Sequence, residues 1–209
     1  MPTSSAQRDL EDQFISDVQR NRANRALLER LHELSLPDAW LVAGCLFQTV
    51  WNLRSGQAAD AGIRDYDVFY FDADDLSEQS EALINQRAAA LFADLAVPIE
   101  VKNQARVHLW YEDYFGRPYS ALRHSREGID RFLVASTAVG LQPQAADHRP
   151  AVYAPYGLDQ LYRGVLTPNP TIDHGPLFER KCRDYQARWP WLSWETNALP
   201  PLPEEPANG

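Results

Sequence analysis

Apolar residues recur at helical intervals among charges over residues 10–34, which predicts one or two amphipathic helices with Leu27, Leu28, Leu31 and Leu34 turned to the core. Leu36-Pro37-Asp38 ends that pattern, and the short apolar run 39–43 predicts a first core strand. Gly44 then turns the chain into a helix over about 46–53, and a loop rich in small residues leads to a second strand over 64–71. Asp75-Leu76-Ser77-Glu78 reads as an N-cap with its glutamate three residues on, opening a long helix to residue 95. A strong alternation follows, with Asn103 the only polar residue on its apolar side. Ile99, Val101, Ala105, Val107 and Leu109 fall on one side of a predicted half-buried strand, and Glu100, Lys102, Gln104, Arg106 and His108 on the other. Beyond it the pattern predicts a helix over 126–141, an extended segment over 151–156, a short helix over 158–164 and a last helix over 177–188, with Trp189-Pro190-Trp191 docked on the body. Residues 1–9 are small and polar and are expected to lack order, and 198–209 form a Pro/Glu tail without a core.

The chain has 209 residues, which suits one domain over 10–197 with a substantial core. Apolar residues make up 44% of it, yet no uninterrupted run reaches the roughly 18 that a membrane span needs, and the start is polar rather than signal-like. No membrane association and a cytoplasmic location are therefore expected. Cys45 and Cys182 are too few for a disulfide framework and are expected to be reduced. A formal charge of −9 opposes an extended nucleic-acid surface, whereas a small nucleotide or a metal-bridged phosphate remains compatible.

Three carboxylates carry the candidate chemistry. Asp65 and Asp67 lie two apart in the second predicted strand, so both leave one face of a sheet, and Glu100 comes from the next strand. Negative oxygens held that close repel one another, which a raised pKa or a bound cation relieves, and an oxygen-rich set suits Mg²⁺. Gly44 and Cys45 open a helix whose free N–H groups can hold a phosphate oxygen. Lys102 shares a face with Glu100; it either contacts a triphosphate or balances the acids, and Arg106 and His108 continue the row. Trp51, Trp110, Tyr111 and Phe115 are candidates for stacking on a base, or else core.

The stretches Ala-Gly-Cys-Leu-Phe-Gln-Thr-Val-Trp-Asn, Asp-Tyr-Asp-Val-Phe-Tyr-Phe-Asp and Glu-Val-Lys-Asn-Gln-Ala-Arg-Val-His-Leu-Trp-Tyr resemble a bacterial nucleotidyltransferase-like family of the polymerase-beta-like superfamily, over about residues 38–170. The resemblance implies an α+β fold, with a small mixed sheet flanked by helices and helical additions at both ends. It also implies that Asp65 and Asp67 bind Mg²⁺ bridging the phosphates of an NTP, and that Glu100 orients and deprotonates an acceptor hydroxyl. Gly44, Cys45, Lys102 and Arg106 would contact the nucleotide. Superfamily members usually carry serine after the glycine, so Cys45 departs from the pattern. Two other readings stand beside this enzyme: a catalytically degenerate nucleotide-binding module, and a thiol hydrolase built on Cys45 and His108.

Overall fold

A computed structural model describes residues 5–144, 149–172 and 175–194. The N-terminal helical pattern divides because Asn21 breaks it. Helix α1 runs Ser5–Gln19 and α2 runs Arg22–Arg30, and the Asn21 side chain caps α2 by accepting from the backbone N–H groups of Ala23 and Asn24. Residues 5–9, expected to lack order, belong to α1; residues 1–4 and the Pro/Glu tail lie outside the described residues. Leu27, Leu28, Leu31 and Leu34 are all buried, as their spacing requires.

Five strands form the main sheet: β1 (Trp40–Val42), β2 (Tyr66–Tyr70), β3 (Ile99–Asn103), β4 (Gly140–Gln142) and β5 (Ala151–Tyr153). Their order is β3-β2-β1-β4-β5, with β2 and β3 parallel and the other pairs antiparallel, so the fold is α+β around a mixed sheet. Alternation gives the sheet two different faces. Leu41, Val68, Val101 and Leu141 enter the larger core, whereas Trp40 and Val42 pack with Ile129 and Ala138 on the other side. Between β1 and β2 lies α3 (Gly44–Arg54), and between β2 and β3 lies α4 (Glu78–Leu91), the crossover that a parallel pair requires. Ser77 caps α4 through its hydroxyl on the N–H of Ser80. Asn85 fixes α4 to β3, donating to the carbonyl of Val101 and accepting from its N–H at 2.8 and 2.9 Å.

Two predicted elements are overturned. The strand expected over 99–109 stops at Asn103, whose side chain accepts from the N–H groups of Ala105 and Asp72 and so starts a 3-10 turn over Gln104–Leu109. The short helix α5 (Tyr111–Phe115) follows. The helix expected over 126–141 shrinks to α6 (Ser125–Ile129). Its remaining apolar residues follow a loop with a 3-10 turn over Ala135–Thr137 and then β4, half-buried at Phe132 and Leu133 and buried from Val134 on, and Val134 and Val139 are β-branched residues suited to the extended parts of that path. Gly140 allows the close return: a Cβ there would meet Ile129 Cδ1 at 2.6 Å.

The C-terminal part adds α7 (Asp159–Arg163), β6 (Val165–Leu166), α8 (Gly175–Arg188) and β7 (Ser193–Trp194), with β6 and β7 forming a separate parallel pair. Phe178, Cys182 and Tyr185 form the buried stripe of α8. Trp189 docks as expected, wholly buried, with Nε1 donating to Asn52 Oδ1 at 3.0 Å. Rings of Phe47, Trp51, Tyr185 and Trp189 then interlock α3 with α8 at centroid distances of 4.8–5.4 Å. Among the described residues no helix is long and apolar enough to cross a membrane.

Candidate active site

At the end of β1, Ala43 takes φ 61° and ψ −131°, a conformation that residues with a side chain rarely adopt. This sharp turn starts α3 at Gly44, two residues earlier than the apolar pattern suggested. A buried polar network holds the first turn in place. The Cys45 carbonyl accepts from Thr49 Oγ1 at 2.7 Å and from Asn24 Nδ2 at 2.9 Å, while Asn21 Nδ2 donates to both Thr49 Oγ1 and the Tyr66 hydroxyl at 3.1 Å. The glycine-led helix start is thereby tied to β2, the strand that carries Asp67 and directly follows Asp65.

Val42, Asp67 and Glu100 are register partners across β1, β2 and β3, so their side chains share one face of the sheet. Asp65 lies immediately before β2. A cleft of about 450 Å³ opens there, lined by Gly44, Gln48, Asp65, Asp67, Arg131 and Lys181, with aromatic walls from Phe132 and Tyr185. Burial first, then repulsion from Asp65 and Glu100, pushes the Asp67 carboxyl up to about 7, against the opposing pull of Lys102 and Lys181.

The other predicted residues are distributed unevenly. Glu100 sits beside Asp67 in the sheet, but its carboxylate pairs with Lys102 Nζ at 3.5 Å and neither residue lines the cleft. Arg106 does not join the row. Because β3 ends at Asn103, Arg106 falls in the 3-10 turn, is buried, and bonds Glu81 at 2.9 Å, Glu78 at 3.4 Å and the Leu76 carbonyl, so its charge is committed to the start of α4. The Cys45 side chain is wholly buried and donates to the Val42 carbonyl at 3.3 Å; burial raises its pKa well above the ordinary thiol value. Cys45 does not line the cleft, and a thiol that burial keeps protonated is poorly suited to act as the nucleophile of a hydrolase. Trp51 belongs to the core, while Trp110, Tyr111 and Phe115 cluster around α5.

Lys181 and Arg131 escaped the sequence reading. Lys181 lies one helical turn before Tyr185 on α8, and Arg131 follows α6, so tertiary packing alone brings them opposite Asp65 and Asp67. The one available signal for Lys181 was its place at the edge of the buried stripe Phe178, Cys182 and Tyr185.

Among the described residues no three His, Cys, Asp or Glu side chains stand together closely enough to hold an ion on their own. Mg²⁺ does not need such a cage, since it commonly takes one or two carboxylates and completes its shell with water and substrate phosphates. The repelling, partly buried pair Asp65 and Asp67 is an oxygen donor set of that kind.

A mixed sheet that brings paired aspartates to a glycine-led helix start, with two cations across the cleft, defines a nucleotide-transfer type of domain. Residues 29–194 match a family described as nucleotidyltransferase, and the chain belongs to that family. It is similar to a solved NMR structure described as revealing a CCA-adding enzyme head domain, at 25% identity and a TM-score of 0.71, over 88% of this chain and 95% of that one. A comparison with curated proteins finds no match.

Proposed function

We propose that the protein transfers a nucleotidyl group from a nucleoside triphosphate to a hydroxyl acceptor in a Mg²⁺-dependent reaction. The observation that carries this reading is the convergence of Asp65 and Asp67 with Lys181 and Arg131 in one cleft at the start of α3. Asp65 and Asp67 hold Mg²⁺, and Glu100 belongs to the same charge cluster because its repulsion helps to raise Asp67. The bound cation supplies the positive charge that admits a triphosphate and steadies the attacking and leaving oxygens. Lys181 and Arg131 take further phosphate oxygens, and the N–H groups of Gly44 and Cys45 donate to another. The acceptor oxygen bonds to the α-phosphorus as the bond from that phosphorus to the bridging oxygen breaks, and pyrophosphate departs with the electron pair. The acceptor's proton passes to water, because Glu100, the base that the family resemblance implies, pairs with Lys102 and does not line the cleft.

One observation favours a second reading, a nucleotide-binding module without turnover: Cys45 buries its thiol where superfamily members usually offer a serine hydroxyl. Incubation with Mg²⁺ and each of the four NTPs labelled at the α-phosphate separates the two. Label transferred to the protein or to an added acceptor, with matching pyrophosphate release that is lost in Asp67→Asn, is the outcome expected of the enzyme. Binding without release would establish the module.

A further inference from the structure

A second cleft, of about 950 Å³, adjoins the first, and Arg131 lines both. The ridge between them is residues 130–133: Asp130 faces the larger cleft, Phe132 and Leu133 the smaller. That ridge is rigidly placed. Asn169, wholly buried, donates through Nδ2 to the carbonyls of Asp130 and Phe132 at 2.6 and 2.8 Å, and its N–H donates to the Leu133 carbonyl at 3.1 Å.

The wall of the larger cleft is a stack. The Arg131 guanidinium lies 4.2 Å over the Tyr119 ring, whose centroid is 4.4 Å from that of Tyr111. Such a wall suits a flat ring, which gains dispersion and cation–π attraction from it. Its charge favours an anion. Of the two acids in the cleft, Glu127 is held by Arg123 at 2.6 and 2.9 Å and Asp130 accepts from the Tyr153 hydroxyl at 2.6 Å, while among the described residues no carboxylate lies within ion-pair distance of Arg131. Arg117 adds a further guanidinium to the lining.

We infer that this cleft is the acceptor site and that it takes a mononucleotide unit, a flat base carrying a phosphate, either free or at the end of an RNA strand. The inference rests on the reading of the Asp65 and Asp67 cleft as the transfer site. With the triphosphate on one side of Arg131 and the acceptor on the other, the acceptor hydroxyl meets the α-phosphate at the ridge.

Calorimetry tests this on the full chain with Mg²⁺ and a saturating non-transferring ATP analogue carrying an α,β-methylene bridge. AMP should bind the analogue-loaded protein. Arg117→Gln and Tyr119→Ala should each weaken AMP at least tenfold and leave analogue affinity within twofold, while Tyr119→Phe, which keeps the ring, should retain AMP. An RNA trinucleotide assigns the source: tighter binding than AMP, sensitive to the same variants, marks a strand end, and equal or weaker binding marks the free nucleotide. Absence of binding by both probes, displacement of the analogue by AMP, or parallel loss of AMP and analogue in the variants would overturn the inference. Failure of the analogue itself to bind would count instead against the proposed transfer site, and AMP binding lost in Arg117→Gln and Tyr119→Ala would still identify the larger cleft.

Discussion

Asp67 concentrates the residue-scale physics of the site. Its pKa of about 7 lies above the roughly 3.9 of an ordinary aspartate, so between those values the folded chain holds a proton that the unfolded chain has released. The stability so conferred is complete below pH about 4 and is lost as pH rises through 7. Asp67→Asn cannot ionise, so in metal-free buffer at pH 8 it should be more stable than wild type by about 2–4 kcal/mol, a rise in Tm of roughly 4–16 °C, with little difference at pH 5. Equal melting curves at pH 8 would show that the carboxylate is not strained by its neighbours. Ala43 offers a second check. Glycine is at ease where Ala43 is not, so Ala43→Gly should raise Tm by a few degrees, relief of about 1 kcal/mol, and an unchanged or lower Tm would contradict the strain. Gly44 differs, because a Cβ there meets only the tip of the Gln48 side chain, at 2.8 Å. Gly44→Val is therefore expected to fold yet to lose NTP affinity at least tenfold, by filling the space a phosphate would take; wild-type affinity would place the nucleotide elsewhere.

At the scale of elements, what was legible in the sequence was what neighbours in the chain determine. The β2 strand with Asp67, the helix after it and the neighbouring β3 followed from alternation and spacing, whereas the cap fell on Ser77 rather than on Asp75, whose carboxylate accepts from the Ser77 N–H instead. The end of β3 did not follow, because Asn103 leaves the ladder through bonds with Asp72, 31 residues away. Residues 126–141 misled for a related reason: their apolar residues divide between the two faces of the sheet, Ile129 and Ala138 on one and Val134, Val139 and Leu141 on the other, rather than forming one helical stripe. The same non-local packing hid half of the candidate site, since no local pattern near Arg131 or Lys181 refers to Asp65. The ridge 130–133 should depend on Asn169. Asn169→Ala removes its side-chain bonds to the ridge and to Tyr156 and Thr171 and takes donors from part-buried carbonyls, which should cost about 3 kcal/mol, or roughly 6–12 °C in Tm. A loss below 2 °C would show that the ridge is held by other contacts.

For the whole molecule, charge sets the conditions under which the cleft can work. The chain carries a net charge of −9, and the floor of the cleft adds two adjacent aspartates, so a free triphosphate meets repulsion both at long range and on arrival. Lys181 and Arg131 offset part of this locally, and the proposed cation removes the rest. The central claim is that nucleotide, divalent cation and the two aspartates form one site, and a calorimetric titration of ATP, GTP, CTP and UTP, each with Mg²⁺ and with EDTA, tests it most directly. At least one NTP should bind in Mg²⁺ and weaken tenfold or more in EDTA, with Lys181→Met weakening the Mg²⁺-dependent binding at least fivefold and Asp67→Asn abolishing the metal effect. Binding that is indifferent to the cation, or a metal effect that survives intact in Asp67→Asn, would contradict the account.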